Sequence, residues 1–221
     1  CLRLPIDYGD ALRTAGLAVD PTRRKTGGAL LGDRIRMNAI DGDRVFFRSF
    51  ATRGASAEVP AQLDDLIAAC RCAEFDVVIV ETPGIGQGDA GITSKVDTSL
   101  YVMTPEFGAA SQLEKIEMLD YADAVAINKS DRKGAKDALR DVRKQVQRNR
   151  GAFSQSSDEM PVYTTMAARF NDAGVSELYQ ALKVSLVAQG LIPGPGLLDE
   201  TRSARQSAQS LPGERVGYLV E

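Results

Sequence analysis

Apolar residues recur along this chain in two alternating rhythms. Short, β-branched runs read as buried strands, and stretches repeating at three- and four-residue spacing read as helices. The runs predict strands at 12–19, 45–50, 76–81, 96–103, 124–127 and 161–164. Leu63, Leu66, Ile67 and Cys70 fall at i, i+3, i+4 and i+7 and predict a helix over 60–73. Leu30, Leu31, Ile35 and Met37 predict another over 28–40, and Leu113, Ile116 and Leu119 one over 109–121. A highly charged helix is expected over 134–148 and a closing helix over 175–187. Strands alternating with helices predict an α/β fold in three layers: a mostly parallel sheet with helices on both faces. After residue 188 the chain turns to Gly/Pro and then Ser/Arg/Gln, so we read a domain over 1–188 and a linker over 189–221.

One stretch stands at the centre of this pattern. Residues 75–80 form an almost unbroken apolar run, as expected of a strand covered on both faces. The run ends in Glu81, then Thr-Pro-Gly84 and a glycine-rich loop through Gln87. In doubly wound sheets, ligands sit at the carboxyl ends of the strands. A carboxylate there can reach a hydrated Mg²⁺, and a glycine lets backbone N–H groups approach a γ-phosphate. The same residues also fit an ordinary buried strand ending in a tight turn.

Composition narrows the chemistry. The 221 residues carry a net charge of -3, which offers no broad basic surface to nucleic acid. No apolar run of membrane-spanning length occurs, and the start, at Cys1, has no signal-peptide pattern. We read that start as the edge of a fragment. The three cysteines have no metal-like spacing and fit reduced thiols in a cytoplasmic protein. Histidine is absent, which excludes a Ser-His-Asp triad and an imidazole base within these residues. Hydrolysis here would rest on carboxylates, backbone dipoles, a metal ion and positioning, the tools of phosphoryl transfer.

The sharpest motif is Asn128-Lys129-Ser130-Asp131, directly after the strand at 124–127. The Asp carboxylate can accept from both N1–H and the exocyclic amine of guanine, a paired donor edge that adenine lacks. Asn128 would brace the loop, and the Lys129 stem can lie along the base. The segment 164–168, with Thr165 and Ala167, ends the next strand and is placed for a second base-contacting loop.

Together, Asp20-Pro-Thr-Arg-Arg-Lys-Thr-Gly-Gly-Ala-Leu-Leu-Gly-Asp33, Glu81-Thr-Pro-Gly-Ile-Gly-Gln87 and Asn128-Lys-Ser-Asp131 resemble the G-protein chaperones of adenosylcobalamin-dependent mutases. Residues 101–116 and 144–150 are similar to the forms in which the G domain is fused to an isobutyryl-CoA mutase. The resemblance, over residues 11–187, implies a P-loop GTPase-like fold, GTP or GDP as ligand, and Mg²⁺. Asp20 and Asp33 would match the acids of the first switch and organise the metal with Glu81, the Walker B acid. Gly84 to Gln87 would match the second switch, with Gln87 placed to orient water. Gly108 to Lys115 would match a third switch, with Lys115 the residue to test. Read without the family, Asp33 could instead pair with Arg34 or Arg36, and Arg23, Arg24 and Lys25 could be a solvated loop.

The chain departs from the family in two ways. No Gly-x-x-x-x-Gly-Lys-[Ser/Thr] occurs. We therefore expect the first strand and phosphate-binding loop to be missing, an apolar sheet edge to be exposed, and hydrolysis by these residues alone to be negligible. With no histidine to ligate cobalt, adenosylcobalamin and acyl-CoA would belong to mutase and cobalamin-binding domains elsewhere in a parent protein, expected to be a homodimer. The alternatives are a degenerate G domain that acts as an interaction module, and a GTPase metallochaperone. The missing Cys/His ligands weigh against the latter.

Overall fold

A computed structural model describes residues 3–20, 44–51, 59–60, 62–82, 91–108, 110–169 and 171–191. The expected helix over 28–40 and the tail beyond Leu191 lie outside these residues, as do Asp33, Gly84 and Gln87.

The described chain opens with helix α1 (Arg3–Tyr8), followed by strands β1 (Thr14–Asp20) and β2 (Val45–Ala51). Helix α2 (Leu63–Cys72) leads into β3 (Val77–Glu81), and a short 3-10 turn (Gly91–Lys95) precedes β4 (Leu100–Met103). Two single-turn helices, α3 (Ala110–Leu113) and α4 (Met118–Tyr121), lead to β5 (Ala124–Ile127). The long helix α5 (Ala135–Asn149), β6 (Val162–Thr164) and helix α6 (Ala173–Ala188) complete the order.

All strand pairs are parallel, in two three-stranded sheets ordered β2-β1-β3 and β4-β5-β6. Along β3 the side chains alternate between two cores. Val77 and Ile79 pack with Leu4, Tyr8 and Tyr179 of α1 and α6, whereas Val78 and Val80 pack with Leu63 and Cys70 of α2. A period of two, with apolar partners on both sides, is what the continuous apolar run at 75–80 requires. The second sheet packs Met103, Val125, Ile127 and Val162 against Ala138, Val142 and Val146 of α5.

Among the described residues, β3 and β4 each have one edge with no neighbouring strand. Leu100 and Val102 of β4 are exposed, Val102 by 56%. Among the described residues the unpaired edge strand β4 therefore presents apolar side chains to solvent.

Two expectations are corrected. The predicted strand over 96–103 begins only at Leu100. Its start is fixed by Ser99, whose backbone N and hydroxyl both donate to the Asp123 carboxylate at 2.7 Å. The single helix predicted over 109–121 is broken. Lys115 N donates to Gln112 O at 3.0 Å and Ile116 N to Leu113 O at 3.1 Å, the tight spacing of a 3-10 turn. The cause is burial. Leu113 and Met118 are both in the core, but five residues along an α-helix are separated by about 140° of rotation. A continuous helix would bury one and expose the other.

Helix α6 ties the two sheets together. Asp7 of α1 is fully buried. It accepts from the Tyr179 hydroxyl at 2.7 Å and from Lys183 Nζ at 3.0 Å. Burial, then the hydrogen bond to Asp7, pushes the Tyr179 phenol well above its ordinary range. Arg3 donates to Ser176 at 2.9 Å. Ser185, further along α6, shares a 3.0 Å hydrogen bond with Thr98 just before β4. Removing one partner of a buried ion pair strands the other. We predict that Asp7→Ala lowers stability by about 2–4 kcal/mol, because Lys183 retains some solvent, and Tyr179→Phe by about 1 kcal/mol. Urea-unfolding midpoints measure both, and an unchanged midpoint in Asp7→Ala would show that the sheets are joined elsewhere.

Candidate functional site

The parallel registers bring the carboxyl ends of the strands into line. Met103 pairs with Ile127, and Ile127 with Thr164, so the chain leaves β4, β5 and β6 at one level. Backbone bonds extend this order past the strands. Asn128 N donates to Met103 O at 2.8 Å, Thr165 N to Ile127 O at 2.9 Å, and Ser130 N to Thr165 O at 3.1 Å.

On this platform the two predicted base-contacting loops are held by one side chain. Asn128 Oδ1 accepts from Ala167 N at 3.1 Å and from the Thr165 hydroxyl at 3.3 Å. Thr165 is only 4% exposed. The structure thus brings together Asn128, Thr165 and Ala167, as expected. Lys129 takes the left-handed conformation, with φ of 58°, which costs a non-glycine residue of the order of 1 kcal/mol. It directs the turn that closes with Arg132 N donating to Lys129 O at 3.0 Å. Asp131 is exposed, and no hydrogen bond or ion pair engages its carboxylate among the described residues. Gly134, with φ of 88°, then starts α5.

Sequence reasoning missed what supports this loop from behind. Asp172 caps α6 by accepting from Val175 N at 3.1 Å, a pattern that an Asp ahead of the helical stretch foreshadows. Gly174, in the first turn of α6, lies so close to the Thr164 carbonyl that a Cβ would collide with it. Glu106, 26 residues from Arg132 in sequence, pairs with its guanidinium. Hydrogen bonds from Thr104 and then Arg132 hold the Glu106 carboxyl down to about 2. No local pattern announces that pair.

The other predicted site residues lie apart from the base loop. Glu81 is exposed at the end of β3, in register with Ala18 of β1. Asp20 is the last residue of β1 and pairs with Ala51 through the backbone. Two candidate metal acids therefore end neighbouring strands of one sheet, while the third, Asp33, lies outside the described residues. Among the described residues no group of three His, Cys, Asp or Glu is placed to hold a metal ion. Lys115 is exposed on the turn between α3 and α4, away from the carboxyl ends of the strands.

Parallel strands, helices on both faces and loops gathered at one end define a doubly wound α/β protein. Two solved structures share this fold. A LAO/AO transport system kinase superposes with a TM-score of 0.50 at 24% identity, over 90% of this chain and 56% of that one. HypB from Helicobacter pylori does so with a TM-score of 0.54 at 15% identity, over 84% and 79%. Residues 7–211 match the methylmalonyl-CoA mutase-associated GTPase MeaB family, and the chain belongs to that family. It is 60% identical over 221 residues to the fused isobutyryl-CoA mutase of Nocardia farcinica. The match takes in 99% of this chain but 20% of that protein, so the chain spans about a fifth of the length of such relatives.

The close packing at Gly174 leads to a prediction. Gly174→Ala must push the Thr164 carbonyl aside and with it Thr165 and Ala167. We expect a loss of about 1–3 kcal/mol in stability and altered amide chemical shifts at Thr165–Ala167. Unchanged shifts there would show that the loop is positioned independently of α6.

Proposed function

We propose that this chain is the guanine-reading part of a G domain serving an adenosylcobalamin-dependent acyl-CoA mutase. The observation that carries the reading is the joining of Asn128 to Thr165 and Ala167 at the ends of two adjacent parallel strands. This leaves Asp131 exposed and unengaged at the mouth of the loop. A carboxylate so presented accepts two parallel N–H bonds from the guanine edge and finds no such edge on adenine. The Lys129 stem would cover the base, and backbone groups of Thr165–Ala167 would close the other side. Membership of the family and the fused relatives support a role beside a mutase. In a parent of that kind, GTP turnover would be coupled to loading or protection of the cofactor, and the mutase would isomerise isobutyryl-CoA to n-butyryl-CoA.

Glu81 and Asp20 suit Mg²⁺, a hard cation that takes oxygen ligands largely through its own waters. When bound, the ion would neutralise charge on the phosphates. Gln87 would orient the attacking water, and Lys115 would carry nucleotide state towards the partner. Cobalamin and acyl-CoA would be held by other domains, since these residues contain no histidine for cobalt. No helix among the described residues is long and apolar enough to cross a membrane, and we place the protein in the cytoplasm. A second reading is a non-hydrolysing interaction module: these 221 residues contain no Gly-x-x-x-x-Gly-Lys-[Ser/Thr], and a protein that carried none upstream of them either would bind partners without turning GTP over.

Titration calorimetry separates the two. We expect the 221 residues extended upstream through a phosphate-binding loop to bind GDP with Mg²⁺ and ignore ADP. The 221 residues alone should bind GDP at least about tenfold more weakly, a loss of ~1.4 kcal/mol or more. Equal affinity for GDP and ADP in the extended form would remove the guanine assignment. Tight, GDP-selective binding by the shorter form would favour the interaction module.

A further inference from the structure

The base loop carries its own competitor. Asp131 is flanked in sequence by Lys129, Arg132 and Lys133. Of these, arginine matters most, because its guanidinium offers a carboxylate two parallel N–H donors. The guanine edge that carries N1–H and the exocyclic amine is itself a guanidine group, with the same donor pair at the same spacing. An arginine free to swing onto Asp131 would occupy the site as a base does. The move is short: elsewhere in this chain neighbouring residues make such a pair, Arg140 Nε to Asp141 Oδ1 at 2.9 Å.

Arg132 does not make it. Its Nη1 is bonded instead to Glu106 Oε1, and the Asp131 carboxylate is left without a partner among the described residues. Glu106 is fixed for this task. It sits in the 3-10 turn Pro105–Phe107, closed by Phe107 N donating to Thr104 O at 3.1 Å and Gly108 N to Pro105 O at 3.0 Å. Gly108 is pressed against α5, where a Cβ would lie 2.5 Å from that of Ala138. The Arg132 and Glu106 side chains are about half exposed, at 50% and 47%, and ion pairs of that exposure add little to stability. Fold stability therefore does not account for the pair.

We propose that Glu106 is a positioning residue for guanine recognition: it holds Arg132 away from Asp131, so that the carboxylate stays open to the base. This rests on the guanine reading proposed above. The class of ligand it serves is a guanine nucleotide carrying both N1–H and the exocyclic amine.

The test uses the full-length protein that contains this segment, titrated with GDP, IDP and ADP in the presence of Mg²⁺. IDP keeps N1–H and lacks the amine, so the GDP-to-IDP affinity ratio reports how Asp131 is engaged. Glu106→Ala should weaken GDP binding about three- to fivefold, the range of a freed surface ion pair, and should move the GDP-to-IDP ratio towards one. Arg132→Ala should leave both near wild type, and Glu106→Ala/Arg132→Ala should recover the wild-type affinity and ratio. Rescue by removing the second partner is not expected of a pair that merely holds the loop together. The inference is overturned if Glu106→Ala leaves GDP binding unchanged, or if Arg132→Ala alone is as damaging and the double variant is not rescued. Equal binding of GDP and ADP by the wild type would instead remove the guanine reading, and this inference with it.

Discussion

A carboxylate with no access to water has to be neutralised where it stands, and Asp7 is such a group. Its partners, Tyr179 and Lys183, are both on α6, so the ion pair fixes one face of that helix against α1 and the start of β3. The same helix touches β6 through Gly174 and the approach to β4 through Ser185. The two sheets share no strand pairing among the described residues. They are joined instead by a helix anchored on a buried charge and by the segment before β4, where Ile92 and Val96 pack into the first sheet's core and Lys95 pairs with Asp64.

That placement decides where the loops meet. β5 is buried along its whole length, and a strand so enclosed can end only in a loop that continues its neighbours' hydrogen bonds. Asn128, Thr165 and Ser130 do this in turn. Two loops that would otherwise move independently become one surface, with main-chain groups as its floor and Asp131 at its rim. The segment after β4 joins the same surface through Glu106, so three successive strand ends contribute to it.

Much of this was legible in the chain itself, for identifiable reasons. The run at 75–80 read as a doubly covered strand because both faces of β3 are filled by different helices. Asn128–Asp131 read as a loop because it follows an enclosed strand of β-branched and small residues. Periodicity misled where core demands cut across it: Leu113 and Met118 are both buried, and the helix broke to allow it. Contacts between residues distant in sequence left no trace in any local pattern. Arg132 and Glu106 look like members of ordinary charged stretches, and Asp7 resembles any surface acid until Tyr179 and Lys183 are set beside it. The collision that forbids a side chain at Gly174 involves a carbonyl ten residues earlier and could not be read from composition.

The left-handed backbone of Lys129 has a consequence for how such a chain can drift over generations. A lysine at φ of 58° sits in a conformation that Asn or Asp adopts more readily. A search for more stable variants would therefore arrive at this position early and exchange the lysine for a shorter residue. If the long stem serves a flat ligand, that exchange would raise the melting temperature while weakening retention of the ligand. Selection for robustness and selection for recognition would then pull in opposite directions at a single residue.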